Sequence, residues 1–449
     1  TQDMKLFTRR QFLRNSLLGA GAVTAGLGLA ACGDTAAPAA ANNSKASTGE
    51  NGTIELKYWY CWTDKIKENN EERVQEFNDS IGKDKGIHVT AEYQGSYDDL
   101  NSKLKTAFTA NEEPDVSVMV INSTQAFADG GMIQKIDDLI DSSDISDFWP
   151  GLMENCKVNG DLYGVPYLRS TPVLYYNKTL FKKAGLDPET APDTWDDMVK
   201  ASDALKSVGV GGYGFYSYIW VLTALDYCNG GSPFGDDLSA KSCTFNEKPA
   251  VEMAQWLKDG TDNHNFAFSG GSNGSDTLKT NAANQKVAMW ASSTADLTNY
   301  LDLASQGGYE IGVGFIPKKT QNKVPTGGCN LVMTSRLEGD RRNAAGEFIN
   351  FMTSKDAAVK NHLKTGYLLT RQSDKDDDRI KEAYAKTPEY QVAFNQLQYA
   401  IGDYMNAGYA EASKDYTDAI EKIMGGSADQ IQSILDDAKS KADPVLANN

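Results

Sequence analysis

Residues 163–197 read YGVPYLRSTPVLYYNKTLFKKAGLDPETAPDTWDD, and the reading of the whole chain turns on this stretch. Val165, Tyr167, Val173 and Tyr175 are β-branched or aromatic, the side chains that suit a pleated surface, and Pro166 and Pro172 interrupt the run where a strand would leave one sheet for another. A strand that crosses between sheets predicts two lobes. A short helix over 179–184 follows, stopped by Gly185, with Pro188 and Pro192 barring its continuation. Thr194, with Asp197 three residues on, caps the next helix.

Working outward toward the N-terminus, residues 54–60 alternate as a strand, 65–77 form an amphipathic helix with Val74 and Phe77 inward, and 87–93 form a second strand. A helix over 97–109 and an apolar strand over 115–121 continue the rhythm, which implies a parallel sheet with both faces covered and binding at the carboxyl ends of its strands. Toward the C-terminus the pattern predicts helices over 194–207, 249–260 and 275–284, a strand over 286–290 and a second crossing over 311–317. Ser427 with Gln430 caps the last helix. About 400 residues exceed one ordinary core, which again favours two lobes.

Thr8-Arg9-Arg10-Gln11-Phe12-Leu13-Arg14 precedes a small apolar run from Leu17 to Ala31, the layout of an export signal. The twin arginines before Phe-Leu fit a twin-arginine signal, an ordinary secretory signal being the other reading. Leu29-Ala30-Ala31-Cys32-Gly33 matches a lipoprotein cleavage site, which makes Cys32 the lipidated terminus, and the Ala/Asn/Ser/Gly-rich residues 34–52 a tether. Lys5, Arg9, Arg10 and Arg14 against Asp3 make the signal net +3, so a total of −17 leaves −20 for the rest, a charge that disfavours nucleic acid and anionic lipid as partners.

Enzyme signatures are scarce. His88, His264 and His362 are far apart and lack zinc spacing, and Cys61, Cys156, Cys228, Cys243 and Cys329 contain no C-x-x-C, so neither a metal nor a cofactor is expected. Gly209 to Gly214 matches G-x-G-x-x-G but follows a helix, the wrong context for a dinucleotide turn. With 61 acidic residues, no pair of carboxylates stands out as a glycosidase dyad. Asp374 to Asp378 reads as a solvated turn. Aromatics are the better clue: Tyr60 and Trp62 share one face at the end of the first strand, and Tyr213 to Trp220 forms a second cluster. Flat rings offer apolar area to the C–H faces of a sugar or polyol.

STPVLYYNK from Ser170, FKKAGLDPE from Phe181 and TWDD from Thr194 together resemble the extracellular solute-binding proteins of ABC importers, family 1, and within it the branch of the sn-glycerol-3-phosphate-binding protein and many sugar binders. The likeness implies an α/β, two-lobed periplasmic-binding-protein fold of type II, with mostly parallel sheets flanked by helices and a hinge of crossing segments. It divides the chain into an export signal (1–31), a lipidated Cys32 with tether (32–52), a first lobe (53–168, continued at 317–354) and a second lobe (169–316, continued at 355–449).

The family's cleft motifs carry over residue by residue. YQGSY points to Tyr97, STP to Ser170, MWASS to Ser292 and Ser293 with Trp290 beside them, GGCN to Gly328, and KTGYL to Tyr367. Three positions depart from the branch: Asn122 stands where a glutamate is expected, Tyr216 and either Ile219 or Trp220 where two tryptophans are, and Ser413 where a late arginine would hold phosphate. Arg169 and Arg371 are the cations placed to compensate. A buried phosphate without a fixed cation is costly, so the expected ligand is a carbohydrate or polyol, with sn-glycerol 3-phosphate or a glycerophosphodiester as the alternative. The resemblance further implies a monomeric, non-enzymatic receptor that serves the membrane subunits of an ABC permease and meets the membrane only through its lipid. A glycan-active enzyme or a sensor lipoprotein are the readings from other classes.

Overall fold

Ten strands build two sheets in the computed structural model, which describes residue 49 and residues 52–449; the export signal, Cys32 and nearly all of the tether fall outside the described residues. In chain order they are β1 (Ile54–Tyr60), β2 (Ile87–Tyr93), β3 (Val116–Val120), β4 (Gly164–Ser170), β5 (Pro172–Asn177), β6 (Gly211–Phe215), β7 (Ala267–Phe268), β8 (Val287–Ser293), β9 (Ile311–Gly314) and β10 (Gly327–Met333). The first sheet has the order β2-β1-β3-β10-β4 and the second β9-β5-β8-β6-β7. The quoted stretch crosses between them: β4 ends at Ser170 in one sheet and β5 begins at Pro172 in the other.

The expected parallel pairing holds for β1 with β2 and β3, and for β6 with β7 and β8, but the sheets are mixed. In the first sheet β10 runs antiparallel to both of its neighbours, and in the second β5 does. The reason is the hinge. A chain that enters a lobe from the hinge starts its strand at the end where the other strands finish, so the entering strand opposes the remaining four.

Helix ends follow the sequence signals. Asn177 accepts from Leu180 N at the start of the helix Lys178–Lys183, and the Thr194/Asp197 capping box opens the helix Trp195–Lys206. The glycine run 209–214 opens β6 rather than a helix, the reverse of a dinucleotide turn. The helix Lys355–Thr365, expected on the second lobe, lies instead along the helix Asp64–Asp79 of the first: Asn69 donates to Asn361 at 2.9 Å, and Lys360 and Lys364 meet Glu76, Glu72 and Glu68. Two lysines one turn apart facing three glutamates one turn apart account for that placement. In the stretch 374–378 Lys375, Asp376 and Asp378 are exposed as expected, but Asp374 is buried, 4% exposed.

Hydrogen bonds tie the crossings together. Gln396 donates to Thr171 Oγ1 and Pro172 O and accepts from Ile316 N, while Thr326 N donates to Ile401 O beside the short parallel pair 324–325 with 400–401. All five described cysteines, Cys228 and Cys243 included, are buried free thiols. Among the described residues no helix is long and apolar enough to cross a membrane.

Candidate functional site

The second lobe's wall begins where β6 ends. Tyr216 and Tyr218 stack with centroids 5.2 Å apart and planes 9° from parallel, and Trp220 lies 6.1 Å from Tyr218 at 53°. Tyr218 starts the helix Ile219–Tyr227, which turns the Trp220 indole toward the hinge, where its N–H donates to Thr326 O at 3.2 Å. Two carboxylates act electrostatically on Tyr218. Asp296, in the turn after β8, accepts from Ser292 Oγ at 2.5 Å. Asp403 accepts from Asn122 Nδ2 at 3.1 Å and from Tyr404 N at 2.9 Å. Burial pushes the Tyr218 phenol above its ordinary range, and Tyr216, Asp296 and Asp403 push it further, so both acids bear on the same ring.

The first lobe supplies the facing wall. Trp62 meets Tyr97 edge-on at 6.4 Å and Tyr167 at 5.9 Å. The Trp62 indole N–H is buried without a partner among the described residues, while the Tyr97 hydroxyl lies within hydrogen-bonding reach of Cys329 and Tyr367. Tyr97 opens the helix Tyr97–Thr109, fixed by the Ser96/Asp99 capping box. Burial raises the Tyr367 phenol and Cys329, Cys61 and Asp296 push it further, while a hydrogen bond with Tyr97 lowers it. Asn122, just past β3, reaches Tyr404 O at 2.9 Å, and Gln125 accepts from Ser239 at 2.8 Å, so one turn of the first lobe holds the 403–404 segment and the 238–240 loop.

Of the residues singled out from sequence, Trp62 packs on Tyr97 in the first lobe with Tyr367 beside Tyr97, Asn122 bonds to Asp403, Trp220 and Tyr216 cluster with Tyr218, and Ser292 donates to Asp296. Ser170 and Gly328 sit at the hinge, at the end of β4 and the start of β10, and Ser293 spends its hydroxyl capping the turn that carries Asp296. Tyr60 is 1% exposed, and its hydroxyl donates to Glu71, so it belongs to the first lobe's interior. Trp290 lies one rung below Ser292 on the same strand face, 1% exposed, stacked on Tyr175 at 6.0 Å and edge-on to Tyr300. Arg169 is fully buried and donates to Leu152 O, Gly327 O, Asn330 Oδ1 and Thr326 Oγ1. Arg371 pairs with Asp144 and Asp147 over the Phe148 ring, beside a separate cavity of about 230 Å³. These four are corrected to structural roles: packing or internal acceptors consume them. Ser413 is buried beside Tyr409, and the late residue that faces Asn122 is Asp403.

Asp296 and Asp403 escaped the sequence reading. Asp296 stands four residues after Ser292, but among so many acids nothing marked it. Among the described residues no three His, Cys, Asp or Glu side chains converge as metal ligands.

A family model described as bacterial extracellular solute-binding protein matches residues 72–391. The chain belongs to this family. Among its relatives, the sn-glycerol-3-phosphate-binding periplasmic protein UgpB of Brucella melitensis is 26% identical over 415 residues, covering 88% of this chain and 93% of that one. Among solved structures, the cyclic alpha-maltosyl-1,6-maltose binding protein of Arthrobacter globiformis superposes with a TM-score of 0.78 at 21% identity, over 89% of this chain and all of the other. UgpB from Mycobacterium tuberculosis, in complex with glycerophosphocholine, gives 0.74 at 22% identity over 88% and 99%. These structures share the two-lobed fold.

Buried titratable groups give this solute-binding protein an unusual pH response. Burial raises Asp226 and Asp374 to about 7 and Asp403 to about 6, and lowers His362 to about 4. Above about pH 4 the folded state keeps protons that the unfolded chain has released, on Asp403 up to about 6 and on Asp226 and Asp374 up to about 7, so their contribution is lost as pH rises. His362 works in the opposite direction, because the unfolded chain takes up a proton below about 6.5 that the folded chain refuses. Three groups outweigh one. The urea midpoint is expected to be higher near about pH 5.5 than near about pH 8, and Asp226→Asn, which removes a carboxyl with no partner for either oxygen, should flatten the slope. A midpoint that climbs with pH would contradict this assignment.

Proposed function

We propose that this protein is the exported receptor of an ABC importer, lipid-anchored through Cys32 and monomeric, which captures a carbohydrate or polyol between its lobes and passes it to the permease without chemical change. The observation that carries the ligand class is the cluster of Tyr216, Tyr218 and Trp220, together with Arg169 and Arg371, the two cations expected to hold a phosphate, being committed to internal partners. Rings stack on sugar C–H faces, and carboxylates accept from hydroxyls in pairs. Contacts made by both walls exist only when the lobes are closed, so the ligand shifts the equilibrium toward closure by that differential affinity.

The second reading is sn-glycerol 3-phosphate or a glycerophosphodiester, favoured by the 26% identical relatives, which are sn-glycerol-3-phosphate-binding proteins. Arg169 and Arg371 would have to leave their internal partners to serve it. A thermal-shift panel separates the two readings, since ligand at about 100 times its Kd adds about 2.7 kcal/mol to the native state. Neutral mono- and disaccharides are expected to raise Tm and to be recovered intact, while glycerol 3-phosphate leaves Tm unchanged. A rise with phosphate esters alone would reverse the ligand assignment. Tyr97→Phe removes a hydroxyl that contacts Cys329 and Tyr367, so a loss of about tenfold in sugar affinity, about 1.4 kcal/mol, is expected alongside a modest fall in the unliganded Tm.

A further inference from the structure

A cavity of about 530 Å³, within the size range of small-molecule sites, shares no residue with the Tyr216, Tyr218 and Trp220 cluster or with Trp62 and Tyr97. Four segments build it. Trp149 follows the helix Ser142–Asp147, Gln372 and Lys375 lie in the turn Gln372–Asp376, Lys381 and Tyr384 on the helix Asp378–Lys386, and Gln391 and Phe394 on the helix Glu389–Gln396. Each of the last three pairs is three residues apart, the spacing that puts two side chains on one face. The helix Glu389–Gln396 ends in the residue whose bonds to Thr171, Pro172 and Ile316 tie the crossings, so the cavity abuts the hinge.

Three of the lining residues are aromatic. Phe394 meets Trp149 at 5.3 Å and 75° and Tyr384 at 6.4 Å and 56°. The Tyr384 hydroxyl is already bonded to His362 Nε2 at 3.0 Å, which leaves its ring for a ligand. The polar groups are of one kind. The Trp149 indole N–H is buried without an acceptor, and Lys375 and Lys381 are exposed and form no ion pair among the described residues. No aspartate or glutamate lines the cavity, although the chain carries a net charge of −17 and Asp376, Asp378 and Glu382 lie close by in sequence. Two ammonium groups and an N–H with no acid among them give the cavity a positive potential beside its rings.

We infer that this cavity is a second binding site, for a carboxylate carried on a flat apolar ring, with Lys375 and Lys381 meeting the carboxylate and Trp149, Tyr384 and Phe394 meeting the ring. A neutral ring would gain nothing from the two ammonium groups, a cation would be repelled by them, and an anion without a ring would leave the aromatic area uncovered. No arginine lines the cavity to fork a phosphate, whereas two point charges match the two oxygens of a carboxylate.

Benzoate is the probe, set against acetate, benzyl alcohol and benzylamine, which lack the ring, lack the charge and reverse the charge. Fluorine NMR of protein labelled with 5-fluorotryptophan reports the place, the Trp149 signal being identified among seven tryptophans by Trp149→Phe. Benzoate is expected to shift that signal saturably and to bind at least about tenfold tighter than each counterpart, with the advantage shrinking as salt is raised. Lys375→Gln with Lys381→Gln should weaken benzoate at least about tenfold with Tm unchanged, since both positions are exposed. If Trp149→Phe does not fold, calorimetric titration of the lysine variant with benzoate carries the test. A Trp149 signal that benzoate does not move, benzyl alcohol or benzylamine bound as tightly, or a lysine variant that binds benzoate like the parent overturns the inference.

Discussion

Arg169→Ala is expected to be the most destabilising single substitution in the hinge, with a loss of about 4 kcal/mol or more in urea unfolding. The guanidinium is fully buried and reaches four acceptors on three segments: Leu152 O on the short helix before β4, Gly327 O and Asn330 Oδ1 on β10, and Thr326 Oγ1 at the crossing itself. Each acceptor left without a donor costs about 1–3 kcal/mol, and the vacated volume adds a cavity term. Burial pulls the Arg169 pKa down, yet no carboxylate is among its hydrogen-bond partners, so hydrogen bonding rather than charge pairing holds it. Arg169→Lys should recover about half of the loss, since a single ammonium cannot span four acceptors laid out for a planar fork. The same pair of variants decides between structural and ligand roles. If Arg169 were an anion anchor, Arg169→Ala would abolish binding of a phosphate ester and cost little stability.

The physics of what is local explains which parts of this structure were legible beforehand. The Thr194/Asp197 cap, the Gly185 stop and the β4–β5 crossing rest on residues close together in the chain, and all three stand where the sequence put them. The candidate residues Trp62, Ser170, Ser292 and Gly328 likewise fall at one end of their sheets, because a strand's carboxyl end can be read from its own length. Direction within the sheet was less accessible. That β5 and β10 oppose their neighbours depends on where the chain re-enters each lobe, which no window of a few residues records. Arg169 and Trp290 looked like cleft residues from their neighbours in the chain; what disqualified them was the acceptors of Arg169, between 17 and 161 residues away, and the rings around Trp290. Asp403 was hidden for the same reason in reverse. It gains its place only through Asn122 and Asn155, both more than 240 residues earlier.

Gly328 and Gly327, adjacent at the start of β10, are expected to respond in opposite ways to the same added methyl group. At Gly328 the backbone is left-handed, with φ +88°, and a Cβ would lie 2.0 Å from Leu168 O and 2.8 Å from Arg169 Cα. Those atoms belong to β4, whose pairing with β10 already shifts register between Cys329 and Asn330, so neither strand can yield without opening the ladder next to Arg169. The left-handed conformation costs an ordinary residue about 1–2 kcal/mol and the overpacking about 1–3 more, so Gly328→Ala should lose about 3 kcal/mol in urea unfolding. Asparagine tolerates left-handed backbone but carries the same Cβ. Gly328→Asn should therefore rescue little, and a full rescue would show that conformation rather than the approach of β4 selects glycine. At Gly327 the φ is ordinary, and the new Cβ would meet side chains instead, Trp220 Cζ2 at 2.8 Å and Ser170 Oγ at 3.0 Å. The indole can move by a few tenths of an ångström, so Gly327→Ala should cost less than about 1.5 kcal/mol of stability. Its effect belongs in binding: displacing Trp220 disturbs the aromatic cluster beside Tyr218, and affinity for the proposed saccharide should fall about tenfold, about 1.4 kcal/mol. Unchanged affinity in Gly327→Ala, measured alongside intact stability, would take Trp220 out of the ligand's surroundings and leave the Tyr216–Tyr218 pair as the stacking surface.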